Sequence, residues 1–481
     1  MRPPYFSIAV RSGQPGRRVV ADDVVAAVLS ELKAGRLPAG GRLPPVRALE
    51  RQLGLSKNTV QAAYDELVAR GALETREREG VFVCESTTVP PFRTNGAKPP
   101  SPPLRPVPSV FRSPPPQGAI ALSTVLIDPE LLPRERVADC ARAVLKGPGW
   151  RPLFDYQGHP QLRELVAGRL RQRGIDVGAS QIVTTVGSQQ ALDMVARALD
   201  VRRIGLENPV YGHARYLFES HGLALTPLAL DPFGELRLDS WEAELATARP
   251  GLVYAITSFQ NPTGYSYATH ELTRLLELSE KYGFALMEDD WGSDMLSDGD
   301  LRPSLRALGG ENVLYVNSFT KKLMPSLRVG FIVAREDLVP ALVAQKRLST
   351  LGSPWLEEAT LAEFLDRGYF DTHLATLHEA LDQRYERCLE SLRELMPEEA
   401  RWTTPGGGPT LWLDFPKGFD VPALARAVLA RGVFVEDSRP QFFGEPHLNG
   451  FRVSYAFVSE NDLRRALEIV ASEAKRLLSK R

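Results

Sequence analysis

Apolar positions four residues apart, Val20, Val24, Val28 and Leu32, predict an amphipathic helix over about residues 19 to 33, which Gly35 and Pro38 end. Leu43-Pro44-Pro45 opens a second, shorter helix, because proline in the first helical positions gives up no hydrogen bond, and Val46, Leu49 and Leu53 form its single apolar face. Gly54 turns the chain. Ser56 is placed to cap a third helix, in which Val60, Ala63, Tyr64 and Leu67 point inward while Lys57, Asn58, Gln61 and Asp65 point out. After Gly71 the period drops to two, and Leu73-Glu74-Thr75 and Val81-Phe82-Val83, joined through charged residues and Gly80, predict a small hairpin. Helices followed by a hairpin in this order make a winged helix-turn-helix pattern, with a plain three-helix bundle as the bland alternative.

From about Ser86 to Gln117 the periodicity stops and proline takes over, in Pro90-Pro91, Pro99-Pro100, Pro102-Pro103 and Pro114-Pro115-Pro116. That composition predicts a spacer between domains, able to reach on the order of 100 Å at about 3 Å per residue; an SH3-type ligand is the other use of so much proline. Beyond it, strand-like and helix-like segments alternate to the end, which predicts an α/β body with a largely parallel sheet. Ile182-Val183-Thr184-Thr185-Val186 reads as a strand, after which Gly187-Ser188-Gln189 turns into a helix carrying Leu192, Val195 and Leu199 on one face. Val253-Tyr254-Ala255-Ile256 leads to Asn261-Pro262-Thr263-Gly264, and Phe284-Ala285-Leu286-Met287 leads to Glu288-Asp289-Asp290-Trp291. Two further apolar runs, Val313-Leu314-Tyr315-Val316 and Gly330-Phe331-Ile332-Val333, bracket an irregular loop that contains Lys321.

At 481 residues the chain has room for two or three domains. A net charge of -1 and 43% hydrophobic residues suit a soluble globular protein, and the three cysteines, Cys84, Cys140 and Cys388, lack the spacing of a disulfide framework or a metal site. A reducing cytoplasm is therefore expected. No signal-peptide pattern opens the chain and no apolar run reaches the roughly 18 residues of a membrane span, so membrane insertion is not expected. The overall balance hides a local excess, because Arg36, Arg42, Arg47, Arg51 and Lys57 share a segment whose only acid is Glu50. That excess points the first domain at nucleic acid. Arg47, Arg51 and Ser56 can hold phosphates, and Lys57, Asn58, Thr59 and Gln61 at the start of the third helix can reach base edges. The motif Leu43-Pro44-Pro45-Val46-Arg47-Ala48-Leu49, with Leu53-Gly54-Leu55-Ser56-Lys57-Asn58-Thr59-Val60, Tyr64, Leu67 and Gly71, resembles the DNA-binding head of the GntR family over roughly residues 15 to 85. Pro45 stands where that family usually has serine.

The remaining chemistry centres on Lys321. A Ser/Thr-rich segment before a lysine, with an arginine seven residues on, can hold a phosphate beside the amine through hydroxyls and a guanidinium fork. Its plain alternative is a solvated rim. Glycine and the free N–H groups at the start of a helix after a strand, as at Gly187, Ser188 and Gln189, offer a phosphate site of a common kind. Gly187-Ser188-Gln189-Gln190, Glu207-Asn208-Pro209-Val210-Tyr211, Asn261-Pro262-Thr263-Gly264, Asp289, and Ser318-Phe319-Thr320-Lys321 followed by Arg328 together resemble the fold-type I aminotransferases, over about residues 120 to 475. Head and body joined are similar to the MocR branch of the GntR regulators.

This resemblance implies a pyridoxal phosphate cofactor. Lys321 would hold it as a Schiff base, Asp289 would keep the pyridine nitrogen protonated, Asn261 would bond the ring hydroxyl and Tyr211 would stack on the ring. Gly187, Ser188, Gln189, Ser318, Thr320 and Arg328 would form the phosphate site, and Arg452, in Phe451-Arg452-Val453-Ser454-Tyr455, would take a ligand carboxylate. It further implies a homodimer that binds a double-stranded operator and responds to pyridoxal phosphate or a small amino compound. Domains are expected at residues 1–85 (head), 86–117 (linker) and 118–481 (cofactor, effector and dimerisation body). Two departures from the aminotransferase pattern stand out: Trp291 replaces a tyrosine that bonds the ring hydroxyl, and Leu153 replaces a tyrosine contributed to the partner's phosphate site. A working aminotransferase with an appended head, and a repressor whose body only dimerises, are the alternative readings.

Overall fold

The structure is a computed structural model that describes residues 10, 19–77, 79–84, 114–147, 155–296, 301–310 and 312–480. The chain divides into two compact units, Met1–Pro106 and Val107–Arg481, so the division falls inside the proline-rich stretch. Apart from residues 114–117, the expected linker lies outside the described residues, as does the Leu153 substitution.

The first unit has helices Ala21–Lys33, Val46–Leu53 and Lys57–Ala69 followed by the antiparallel strands Leu73–Arg76 and Gly80–Val83. Val24, Val28, Leu49, Val60, Ala63 and Leu67 close its core, as the helical spacing predicts. Val20 is the exception. It precedes the first helix as the N-cap and is exposed, while Val25 fills the core in its stead. Gly54 adopts the left-handed conformation at φ 64°, which permits a turn between two helices that a side chain would resist. Ser56 caps the third helix, its Oγ accepting from Thr59 N at 3.1 Å, and Tyr64 in that helix donates to the Pro44 carbonyl at 2.8 Å. The capped helix is thus tied directly to the proline entry of its neighbour.

The second unit is built on a seven-stranded sheet. Its order is Ile182–Thr185, Gly330–Val333, Val313–Ser318, Ala285–Asp289, Leu252–Ala255, Arg203–Asn208 and Ala224–Ala229. All neighbours run parallel except Gly330–Val333, which is antiparallel to both of its partners. The inner strands read as continuous apolar runs because helices cover both faces. Ala285–Asp289 extends further than the apolar run at 284–287 predicts and carries Asp289 as its last residue.

A smaller antiparallel sheet, Arg401–Trp402, Thr410–Asp414 and Gly450–Ser454, shares a second core with helices Tyr369–Leu395 and Glu460–Leu478. The short strand Ile120–Ala121 pairs in parallel with Val433–Phe434. That pairing brings the start of the body beside its last third. Among the described residues no helix is long and apolar enough to cross a membrane.

Candidate functional site

A cavity of about 380 Å³ opens in the second unit. It collects the residues that follow the C-terminal ends of the parallel strands, where loops of an α/β sheet converge. Asp289 ends one strand, Tyr211 follows Arg203–Asn208, Ile256 follows Leu252–Ala255, and Lys321 lies in the loop after Val313–Ser318. Ser188, Gln189, Asn261, Ser318, Thr320, Arg328 and Arg452 also line it. Gly187 sits at the start of helix Gly187–Ala198 and is buried, not on the cavity wall.

Lys321 donates from Nζ to the Val125 carbonyl at 2.9 Å. Burial, with the charges of Arg452 and Arg328 behind it, draws its amine down to about 8, toward a range in which an unprotonated nucleophile is present near neutrality. Its neighbour points the other way. Lys322 is buried, donating to Asp294 Oδ1 and Oδ2 at 2.6 and 2.7 Å and to Asn317 Oδ1 at 2.7 Å, while its carbonyl bonds the His373 ring at 2.7 Å. One lysine staples the loop so that the other faces the cavity.

The adjacent acids divide their work in the same way. Asp290 is shifted down: burial is the largest single influence and opposes its charge, but Arg173, hydroxyls from Ser293 at 2.5 Å and Tyr315 at 2.6 Å, and the charge of Lys322 together outweigh it. Asp289 is pushed up to about 7 by burial, only partly offset by Tyr254, whose hydroxyl donates to Oδ2 at 2.8 Å. Its Oδ1 is buried and has no partner among the described residues. A buried acceptor left open is costly unless something arrives to donate to it, and a protonated ring nitrogen is such a donor.

The hydroxyls of Ser188, Ser318 and Thr320 and the Arg328 guanidinium line the cavity near the helix start at Gly187, a donor set whose chemistry suits an anion. Ser318 and Thr320 are joined at 2.9 Å. Arg328 takes the left-handed conformation at φ 52° and donates to the Val186 carbonyl at 3.2 Å. Gly187 has φ +73°, and a Cβ there would stand 2.7 Å from Arg328 Nη2, so glycine is what lets the guanidinium approach. Tyr211 also lines the wall, its phenol pushed up to about 12 by burial and the nearby Asp289. An open carboxylate oxygen, an amine and an anion site around one cavity fit a phosphorylated pyridine aldehyde.

Arg452, on strand Gly450–Ser454, is buried and already engaged. Nε and Nη2 donate to the Ser123 carbonyl at 3.2 and 2.7 Å, Nη1 to Asn261 Oδ1 at 2.5 Å, and Nη2 also to Glu436 Oε2 at 2.8 Å. Trp291 lines the cavity but donates its indole N–H to the Phe259 carbonyl at 3.2 Å, so it does not take over the hydroxyl bond of the tyrosine it replaces. Sequence reasoning missed Tyr254, Ser123, Val125 and Glu436. Tyr254 carries a detectable signal, a polar tip in a strand otherwise apolar; the other three belong to no motif and reach the site only through the pairing of Ile120–Ala121 with Val433–Phe434.

In the first unit Arg47, Arg51, Ser56, Lys57, Asn58 and Gln61 are exposed, and Thr59 is half-buried. Ser56 is spent largely on its own helix, its Oγ also meeting Thr59 Oγ1 at 2.8 Å. Gln61 Nε2 donates to Asp65 Oδ1 at 2.8 Å and Arg51 Nε to the Arg47 carbonyl at 3.2 Å, local bonds that a phosphate or a base edge can replace.

Two family descriptions match the chain, "Aminotransferase class I and II" over residues 128–470 and "Bacterial regulatory proteins, gntR family" over residues 20–83. The chain is 30% identical to the probable rhizopine catabolism regulatory protein MocR of Rhizobium meliloti, over 92% of this chain and 91% of that protein. It is 28% identical to the HTH-type transcriptional regulator YisV of Bacillus subtilis, over 92% and 93%. Among solved structures it is similar to the α-aminoadipate aminotransferase LysN of Thermus thermophilus, crystallised with N-(5'-phosphopyridoxyl)-L-leucine, with a TM-score of 0.70, 30% identity, and coverage of 76% of this chain and 94% of that one.

Proposed function

We infer that this chain, which belongs to the class I and II aminotransferase family and carries a domain of the gntR family of bacterial regulatory proteins ahead of it, is a DNA-binding transcriptional regulator of the MocR kind. Its family fold is pyridoxal phosphate-dependent, and the finer reading is that this body binds that cofactor and senses it, or an amino compound that reacts with it. One observation carries this reading: a single chain holds an exposed basic and amide face on a helix-turn-helix and, separately, a cavity whose aspartate keeps one buried oxygen open beside a deprotonatable lysine.

Pyridoxal phosphate supplies, when bound, an aldehyde for an amine to capture and a ring that withdraws electrons. The protein's own residues do the rest. Lys321 would offer the amine, Asp289 Oδ1, which is open, would accept the ring N–H, and Asn261, whose Oδ1 is tied to Arg452, would turn its amide N–H groups to the ring hydroxyl. Tyr211 would stack on the ring, and Ser188, Gln189, Ser318, Thr320 and Arg328, near the helix start at Gly187, would hold the phosphate. In the head, Arg47, Arg51 and Ser56 take phosphates while Lys57, Asn58, Thr59 and Gln61 meet base edges of a double-stranded operator. The chain acts as a cytoplasmic homodimer, with a head at 1–85, a linker at 86–117 and a body at 118–481.

The test is a titration of the purified full-length chain with pyridoxal phosphate, followed by absorbance, and then binding to operator DNA selected from random sequence, with and without the cofactor. Colour that Lys321→Ala abolishes, together with DNA affinity that changes on cofactor or amine addition, is the expected result. A chain that stays colourless, and whose grip on DNA ignores the cofactor, overturns it.

The presence of Lys321, Asp289, Asn261 and Arg452 around one cavity favours a second reading, an aminotransferase with an appended head. Steady turnover of an amino acid and a keto acid, undiminished when residues 1–85 are removed, would establish that one instead.

A further inference from the structure

Arg452 has five N–H donors in a planar fork, and the structure shows where most of them go. Ser123 takes Nε and one Nη2 proton through its carbonyl, Asn261 takes one Nη1 proton, and Glu436 Oε2 takes Nη2 at 2.8 Å. A ligand carboxylate entering end-on needs one proton from each Nη nitrogen. The Nη1 side has one to give; the Nη2 side is held by Glu436.

The two partners are unequally placed. The Arg452 side chain is 9% exposed, whereas that of Glu436 is 36% exposed, so the arginine is enclosed and the glutamate borders solvent. Ser123 fixes the geometry of both. Its Oγ donates to the Arg452 carbonyl at 2.7 Å and accepts from Glu436 N at 3.1 Å. Among the described residues, the other Lys and Arg side chains on the cavity wall are Lys321 and Arg328, which serve the amine and the phosphate.

We propose that Glu436 is a resident carboxylate that determines ligand class: the site accepts primary amines without an adjacent carboxylate while the Glu436–Arg452 pair stays intact, and an α-amino acid binds only by displacing Glu436. The inference rests on the cofactor reading above. A ligand carboxylate then gains little, because it exchanges one carboxylate–arginine bond for another, so the intact pair removes the advantage that an α-amino acid would otherwise hold over its decarboxylated amine. Glu436→Gln leaves a neutral amide that competes poorly for the guanidinium.

The experiment uses the full-length chain loaded with pyridoxal phosphate and a matched pair of probes, L-norleucine and pentylamine, with affinities read by absorbance titration and by calorimetry. In Glu436→Gln the preference for norleucine over pentylamine is expected to rise about tenfold or more, through norleucine alone. The same substitution made in an Arg452→Gln background is expected to leave that preference unmoved. A ratio unchanged in Glu436→Gln, or shifted equally without Arg452, overturns the inference while the protein remains coloured. Absence of colour before any amine is added overturns the cofactor reading, and this inference with it.

Discussion

In the head, the cations and amides assigned to DNA, among them Arg47, Lys57, Asn58 and Gln61, stand in solvent, and the side-chain bonds seen there among the described residues are local, as from Gln61 to Asp65. In the body, Lys321, Asp289 and Arg452 are withdrawn from water, and each meets groups brought in from other segments: the Val125 carbonyl for the lysine, the Tyr254 hydroxyl for the aspartate, the Ser123 carbonyl and the Glu436 carboxylate for the arginine. The contrast separates two uses of charge. Exposed cations act by number, each adding a screened and roughly independent contribution along a polyanion. Buried charges act by arrangement, because losing one partner leaves the other desolvated and unpaired.

The strongest challenge to this contrast is Lys321→Ala, which is expected to remove the absorbance band of the lysine-bound cofactor and, with it, any response of operator binding to added cofactor in the full-length chain. A residual band would mean that another amine, Lys322 above all, does the work. Next in size, Asp289→Asn replaces a charge-assisted bond and should weaken pyridoxal phosphate affinity by roughly ten- to a hundredfold, from a loss of about 1.5–3 kcal/mol. Urea unfolding of the cofactor-free protein should show no loss of stability, because the open Oδ1 has no bond to forfeit.

Cofactor capture should also depend on pH through the buried amine. Only the unprotonated form attacks, so the capture rate is expected to climb roughly tenfold per unit below pH 8 and to level off above it, following an amine held at about 8 in place of the ordinary 10.5. A midpoint near 10.5 would put Lys321 in water and erase the contrast with the head. The same shift has a stability counterpart. The unfolded chain binds more protons at this site between those values, so stability should rise with pH across that window.

The smallest effects belong to the head. Ser56→Ala should cost about 1 kcal/mol of head stability in thermal unfolding, through loss of the cap. Lys57→Ala should weaken binding uniformly across DNA sequences and lower the slope of log affinity against log salt by about one if it meets a phosphate; sequence-dependent loss would assign it to a base.

The same contrast explains what could be read from the chain alone. The head's helices and their outward residues follow from local period and capping, since Val60, Ala63, Tyr64 and Leu67 declare one face and Ser56 the start. Its one local error, Val20, came from extending that period past the cap. In the body, Lys321, Asp289 and Asn261 were legible in motifs at or after strand ends and Arg452 in one within a strand, and all four line one cavity. The groups they meet were not. Ser123 and Arg452 are separated by 329 positions and meet because a two-residue strand pairs with another, a register that no stretch of sequence announces. The reversed direction of Gly330–Val333 was equally hidden, as an apolar run does not say which way it points.

That reversed strand bears on how such a protein changes over generations. Ser318 and Gly330 sit opposite each other in one ladder, and Phe319 N bonds the Val329 carbonyl at 2.9 Å, so the segment carrying Lys321 leaves and re-enters the sheet at a single hinge-like clasp. Its outline is set by backbone bonds and by the Lys322 staple, none of which involves the reactive amine. Descendants can therefore trade away the nucleophile and keep the architecture, which is the freedom a lineage needs to turn a catalyst's pocket into a receptor's.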